Sequence, residues 1–306
     1  MAIFLGIDGG GSKTACAIGD ETSLLGSGAA GGSNVVRVGE SQARAAIAAA
    51  IRQACAAANI APTQIQRTCV GLAGGARAEV SDAVRRIVAE SVSGEVQVVG
   101  DMVIAMEAAF GSGPGVIVIA GTGSIAYGRD CHGQTVRAGG WGFAISDEGS
   151  GHWIGRSAVA AAIRAVDDPK ASAQGAGLLE SLIKSWQLSS REQLIMAANA
   201  TPSPDFSALL PAVLSAAEAG DPLARSVLTQ AGNELANLAK MVLRRLFPEG
   251  EDVPVAMSGG VFGNSPLVRQ VFYNSVRAEY PQAVIGAAVV EPVQGALALA
   301  RSGGPR

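Results

Sequence analysis

The chain has 306 residues, of which 48% are apolar, 16% charged and only 4% aromatic, with a formal net charge of −3. That length and apolar content support a large core and two domains. The absence of a basic stripe and the scarcity of aromatic platforms argue against a nucleic-acid partner. The N-terminus lacks a basic n-region, and its apolar run is too short for a signal peptide or a membrane span. A cytoplasmic protein without a membrane partner is expected. The cysteines Cys16, Cys55, Cys69 and Cys131 form no CxxC pair. They read as small buried or half-buried residues of a reduced protein.

Residues 3–7 and 15–19 read as a hairpin around a glycine-rich tip. The stretch "SLLGSGAAGGSNVV" adds a short strand and a loop holding Gly31, Gly32, Ser33 and Asn34. A helix follows at about 41–58, where alanines alternate with Ile, Arg and Gln at helical spacing. "IQRTCVGLAGGA" is a strand running into a glycine turn, and 79–92 is a helix. "EVQVVGD" is a strand ending at Asp101, and 102–110 is helical. The order is βββαβαβα.

The pattern then restarts. "VIVIAGTGSIAYGRD" at 116–130 has the design of the opening, with Gly123-Ser124 lying 112 positions after Gly11-Ser12. "AMSGGVF" at 256–262 repeats "VGLAGGA" at 70–76, and "AVIGAA" repeats "VQVVGD". The extra material between roughly 150 and 250 is helical. A helix at 291–301 closes the chain, and the tail from Ser302 is expected to fray. Three matches in one order predict a duplicated α/β architecture. The expected domains are 1–112 and 113–306, the second carrying the helical insertion of about 150–250, with the last helix packing back on the first domain.

A hairpin tip needs φ > 0, for which one or two glycines suffice. The runs at 9–11 and 121–123 also strip away Cβ atoms, so that backbone N–H groups can face a phosphate. Two such tips suit a nucleoside triphosphate. Asp8 beside the first tip is placed to hold Mg²⁺ through water. Ser12, Lys13, Thr122 and Ser124 supply further donors. "GGSKT" is not a P-loop, because Ser12 separates Gly11 from Lys13 and no helix follows.

Taken in order, "GIDGGGSKT" (6–14), "VVGD" (98–101), "IAGTGSIAYG" (119–128), "GGWGFAISDEGSG" (139–151) and "MSGGVFGN" (257–264) resemble the actin, sugar-kinase and heat-shock ATPase fold. More narrowly, they resemble the N-acetylglucosamine kinase group of the BadF/BadG/BcrA/BcrD ATPase family. The resemblance spans essentially the whole chain. It implies two ribonuclease H-like domains with a cleft between them, ATP and Mg²⁺ as cofactors, and a small sugar as substrate. A homodimer is the expected assembly. It also implies phosphate loops at 8–14 (Gly10, Gly11, Ser12, Lys13) and at 121–124 (Gly121, Thr122, Gly123). An adenosine loop is implied at 258–262 (Ser258, Gly259, Gly260), and a sugar segment around Ser33 and Asn34.

Phosphorylating a sugar is mainly positioning and charge stabilisation, but it needs a carboxylate near the attacking hydroxyl. Asp101 ends a strand at the edge where α/β ligands collect, and is the expected base. As a purely structural residue it would cap the helix at 102–110. Trp141, with Gly142 beside it, offers a flat wall for a sugar ring, and Asp147 can take two sugar hydroxyls. Ser124 is a further sugar contact. Glu148 is expected to cap or brace the next helix, Trp153 and Trp186 to pack, and His132 and His152 to hold no metal. Ile125 departs from the animal enzymes, which carry a sugar-contacting Asn at that position. Glucosamine or glucose thus stands beside N-acetylglucosamine as substrate. A dehydratase-activating ATPase needs paired cysteines for an iron–sulfur cluster, and Cys131 has no near partner. A sugar-sensing repressor needs an N-terminal helix-turn-helix, and this chain starts at a strand.

Overall fold

A computed structural model describes residues 1–75, 77–167, 176–247 and 252–304. Parts of the expected helical insertion (168–175 and 248–250) and the end of the tail (305–306) lie outside the described residues. The first run of elements is β1 (Ile3–Gly9), β2 (Lys13–Gly19), β3 (Leu24–Gly31), α1 (Val35–Val38), α2 (Glu40–Ala58), β4 (Ile65–Leu72), α3 (Ala78–Ala89), β5 (Glu95–Gly100) and α4 (Asp101–Phe110). The second opens with β6 (Gly115–Ala120), β7 (Ser124–Arg129) and β8 (Thr135–Gly139). The helices α5 (Gly151–Asp167), α6 (Ala176–Ser185), α7 (Arg191–Ala198), α8 (Leu210–Glu218) and α9 (Pro222–Leu246) follow. It ends with β9 (Pro254–Ser258), α10 (Gly260–Asn264), α11 (Pro266–Glu279), β10 (Val284–Val290) and α12 (Pro292–Ser302).

The strands form two five-stranded sheets, ordered β3-β2-β1-β4-β5 and β10-β9-β6-β7-β8. Read from the other edge, the second order is the first with every strand replaced by its counterpart in the repeat. The expectation of a duplicated α/β architecture is borne out by this shared order. The helices α5 to α9 stand in the second half where α2 stands in the first. The chain divides into two compact units. Unit 1 comprises Met1–Ile117, Arg129–Gly133 and the chain from Val290 on; unit 2 comprises Val118–Gly128 and Gln134–Val289.

In unit 1 the sheet is covered on both faces. Side chains alternate along a strand, so Ile3, Leu5 and Ile7 of β1 join one core with Ile47, Ile51, Val84 and Ile87 of α2 and α3. Phe4 joins the other, with Ala17, Cys69, Ile104 of α4, and Leu297 and Leu299 of α12. The alanine stripe of α2 lets the helix close on β3. A Cβ at Gly28 would lie 2.4 Å from the Ala50 carbonyl oxygen, and one at Gly26 2.6 Å from the Ala58 nitrogen. Arg301 ties α12 to the β2–β3 turn by donating from Nε to the Asp20 carbonyl at 2.7 Å and from Nη2 to the Ser23 carbonyl at 2.9 Å.

Two local expectations are corrected. The tail does not fray at Ser302: Gly303 caps α12 in the left-handed conformation at φ 84°, and Gly304 is buried and donates its N–H to the Leu299 carbonyl. Cys16, Cys55 and Cys69 are buried as expected, but Cys131 is exposed in the turn before β8.

The place of α12 in the core of unit 1 is testable. Leu297 is 1% exposed, and Leu297→Ala is expected to cost unit 1 about 2–5 kcal/mol in a urea titration, the usual loss for a buried leucine. A loss below about 0.5 kcal/mol, within the range of surface substitutions, would show that α12 does not close this core.

Candidate active site

Strands β1, β4 and β5 run parallel, so all three end at one edge of the first sheet. Asp8 of β1 lies opposite Gly71 of β4, and Gly71 lies opposite Val99 of β5, two residues before Asp101. Gly71 puts no side chain between the two acids. Asp8 alternates onto the same face as Phe4, the face that α4 covers. Its carboxyl is half-buried and pushed up to about 7, first by loss of hydration and then by the negative charge of Asp101; the Lys13 ammonium opposes the rise. Burial also raises Asp101, while its own N–H and that of Met102 lower it.

Asp101 is the first residue of α4, and Gly100 is the N-cap. The capping reading of Asp101 is corrected accordingly. Its Oδ1 nonetheless accepts the Met102 N–H at 3.0 Å, so the helix end steadies a carboxylate there. These two acids offer hard oxygens. Mg²⁺ takes one or two carboxylates and fills its shell with water and phosphate oxygens, so the donor set fits that ion.

The tip between β1 and β2 spans residues 10–12. The Gly10 N–H donates to the Lys13 carbonyl at 2.9 Å, closing the turn. The Gly10 carbonyl accepts from Ser33 N–H at 3.0 Å and Asn34 N–H at 3.3 Å. The expected sugar segment thus docks on the first glycine tip. Ser33 is 2% exposed, and its Oγ accepts from the Thr14 hydroxyl at 2.8 Å. A Cβ at Gly9 would lie 2.9 Å from that Oγ, and one at Gly32 2.2 Å from the Gly11 carbonyl oxygen. Asn34 caps α1, its Oδ1 accepting the Val36 N–H at 3.2 Å. Sequence reasoning assigned no role to the Thr14 hydroxyl, which holds Ser33, and placed Gly32 in the loop without its close approach to Gly11.

The tip between β6 and β7 spans residues 121–123. Each of its carbonyls is engaged: Gly121 accepts from Gly151 N–H at 2.8 Å, Thr122 from His152 N–H at 3.2 Å, and Gly123 from Gly121 N–H at 2.9 Å. These carbonyls are thus tied to the start of α5 and to the turn itself. Asp147 lies against this tip. A Cβ at Gly123 would be 2.9 Å from its Oδ2, so only glycine leaves the carboxylate its place. Burial raises the Asp147 carboxyl, and N–H groups of Ser124 and Gly142 lower it. Asp147 holds φ 66°, a conformation that few residues other than glycine adopt.

Around it, Gly139, Gly140, Gly142 and Gly149 also have positive φ. Ser124 is 3% exposed and donates its hydroxyl to the Glu148 carbonyl at 2.7 Å. Of the two roles expected for Glu148, capping or bracing the next helix, the capping hydrogen bond is made instead by Ser150, whose Oγ accepts the Trp153 N–H at 3.1 Å, while the Glu148 carboxylate accepts from the Ser146 hydroxyl. Trp141 is 64% exposed with the Arg137 guanidinium 3.8 Å above its ring. It walls a groove of about 470 Å³ with Gly139, Ile145, Glu148, Lys240 and Arg244. Trp186 packs on Phe206 at 5.5 Å as expected, and His152 lies between Phe143 and Phe206. Ser258 is fully buried at the end of β9. Gly259 has φ 97°, and a Cβ there would meet the Ala120 carbonyl oxygen at 2.4 Å; Gly260 opens α10. This places the loop after β9 directly beside the end of β6.

The raised Asp8 carboxyl has a consequence for stability. A carboxyl near 7 in the folded chain and 3.8 unfolded makes the ligand-free protein lose stability as pH rises from about 4 to about 7. In chelator, Asp8→Asn should therefore melt about 2–4 °C higher than the parent at pH 8 for each roughly 1 kcal/mol released, with no gain at pH 4. A lower melting point at pH 8, or equal gains at both values, would contradict the burial and repulsion described.

Comparison with known proteins agrees with this architecture. The chain is 30% identical over 309 residues to an N-acetylmuramic acid/N-acetylglucosamine kinase from Clostridium acetobutylicum, covering 99% of each chain. It is 29% identical over 317 residues to an N-acetyl-D-glucosamine kinase from Dictyostelium discoideum, covering 97% of each. The crystal structure of a candidate N-acetylglucosamine kinase from Chromobacterium violaceum superimposes with a TM-score of 0.73 at 26% identity, covering 97% of this chain and 98% of that one. Residues 5–300 match the model of the BadF/BadG/BcrA/BcrD ATPase family. The family resemblance read from the motifs is borne out, and the chain belongs to the BadF/BadG/BcrA/BcrD ATPase family.

Proposed function

We propose that this chain is an ATP-dependent sugar kinase that phosphorylates a hexosamine, N-acetylglucosamine first, on its 6-hydroxyl. The carrying observation is the pair Asp8 and Asp101, on either side of Gly71 of β4 at the carboxyl edge of a parallel sheet, with Asp8 next to a glycine tip. The relatives named above, which are kinases of acetamido sugars, support the same reading.

Asp101 is the base. Burial raises its carboxyl, which makes it a better proton acceptor than an ordinary surface aspartate. As the sugar hydroxyl oxygen bonds to the γ-phosphorus, its proton passes to Asp101, and the bond to the β–γ bridging oxygen breaks to leave ADP. Asp8 would hold Mg²⁺, which supplies charge neutralisation across the β- and γ-phosphates. Gly10, Gly11, Ser12 and Lys13 of one tip and Gly121, Thr122 and Gly123 of the other are assigned to the phosphates. Ser258, Gly259 and Gly260 are assigned to the adenosine, with Ser258 acting through the loop it anchors.

Asn34 and Asp101 are assigned to the sugar. The Asn34 side-chain oxygen is committed to the cap of α1, which leaves its amide nitrogen to donate to a hydroxyl. Trp141 and Gly142 are candidates for further sugar contacts. So is Asp147, since a carboxylate has about four acceptor sites and N–H groups take only some of them. Ser33 and Ser124, with their hydroxyls engaged, shape the loops that carry these groups.

One observation favours a second substrate reading. Ile125 is 7% exposed, and a Cβ at Gly140 would lie 2.8 Å from its Cδ1. It packs under the glycine turn and offers no hydrogen bond to an acetamido carbonyl, so glucosamine or glucose is the alternative acceptor.

Asp101→Asn is expected to lower kcat by about 10²–10⁴-fold, while the sugar dissociation constant from calorimetry stays within about threefold. Turnover within about threefold of the parent would remove Asp101 as the base.

A further inference from the structure

Gly6, Gly71 and Gly295 of unit 1 stand where a Cβ would not fit, Gly6 and Gly295 against backbone and Gly71 against a buried side chain. A Cβ at Gly6 of β1 would lie 2.3 Å from the Leu297 nitrogen of α12. At Gly295 of α12 it would lie 1.9 Å from the Ile104 carbonyl oxygen and 2.6 Å from the Ala108 nitrogen of α4. At Gly71 of β4 it would lie 2.2 Å from Cδ1 of the fully buried Ile104 side chain. Because β1 pairs with β4, the contacts close a triangle of α12, α4 and the sheet: α12 on β1, α12 on α4, and α4 on β4. Two of its sides are backbone against backbone, which cannot be relieved by turning a side chain.

The triangle borders the two acids. Gly6 is two residues before Asp8 on β1, and Ile104 is three residues after Asp101 on α4. Gly295 and Leu297 are neighbours two apart on a single helix, so one rigid element touches both carriers. Alanine would be the better helix former at position 295, so glycine there serves the approach to α4.

We propose that α12 is the spacer that sets the separation of Asp8 and Asp101, with Gly6, Gly71 and Gly295 as positioning residues. The inference rests on the kinase reading for its effect on rate, because phosphoryl transfer is sensitive to the placement of its carboxylates. An added methyl at 295 drives α4 away from α12, and Asp101 moves with the first turn of α4. Substrate contacts outside α4 are left in place, so binding is spared while turnover falls.

The test compares Gly295→Ala with the milder Gly71→Ala, where only the Ile104 side chain must give. Leu299→Ala weakens the same core without touching the triangle and serves as a control. Expected for Gly295→Ala is a kcat at least tenfold lower with KM for sugar and ATP within about threefold, and a smaller loss of the same kind for Gly71→Ala. Leu299→Ala should melt earlier yet keep kcat within about twofold at 25 °C. Crystal structures of the parent and of each variant that folds should show a changed distance between the Asp8 and Asp101 carboxyls in the glycine variants alone. If the parent transfers phosphate and the glycine variants keep its kcat, or Leu299→Ala loses as much, the spacer role is overturned and the kinase reading stands. If the parent phosphorylates no hexose or hexosamine, the kinase reading falls. The spacing itself is then still decided by the structures, an unchanged carboxyl distance overturning it.

Discussion

Two negative charges held together in a poorly hydrated place repel each other, and the fold of unit 1 is arranged to hold them there. Asp8 on β1 and Asp101 at the start of α4, directly after β5, lie on either side of β4, with glycine at the intervening position. Loss of hydration first, and the charge of Asp101 second, push the Asp8 carboxyl up to about 7. Without a cation, such a pair is relieved by keeping a proton. On the proposed reading, a divalent cation bound by Asp8 would favour its ionisation in place of the lost hydration.

The two glycine tips share one construction despite their different sequences. In each, tip carbonyls are bound to a following segment: residues 33–34 for the first, and the start of α5 for the second. Tying the oxygens down fixes which way the peptide planes face. The expected left-handed turn is corrected, since none of Gly9, Gly10, Gly11, Gly121 and Gly123 has a positive φ; instead glycine fits each strand end against a neighbour and leaves that neighbour its room, Ser33 Oγ at Gly9 and the Asp147 carboxylate at Gly123. The shared strand order of the two sheets makes this a repeated device, with the second copy carrying the longer helical segment before β9.

Much of this was legible in the sequence, for local reasons. Strands β1, β2 and β4 alternate or run apolar between glycines, and the helix at 41–58 shows a clear small-residue stripe. The repeated strand–glycine–strand design marked the duplication, and the strand-end position singled out Asp101. What escaped depends on contacts distant in sequence. Gly6 and Gly295 look like ordinary breaks in "FLGID" and "VQGALALA"; their meaning appears only when α12 lies on β1 and α4. Asp147 reads as a free acid in "SDEGS", yet it adopts φ 66° and is tied to the tip. Glu148 was expected to cap a helix whose first turn Ser150 serves instead. Ser33 and Ser124 read as open hydroxyls, but each is committed inside its own loop.

The central claim is that phosphate goes to a sugar and that the chain is not a switch that hydrolyses ATP. The most direct measurement is phosphorus NMR of the parent protein with Mg-ATP, alone and with N-acetylglucosamine, glucosamine or glucose. The account predicts a sugar phosphate signal growing in step with ADP, with little ADP and inorganic phosphate formed when no sugar is added. ADP and inorganic phosphate appearing at the same rate with and without every sugar would contradict it.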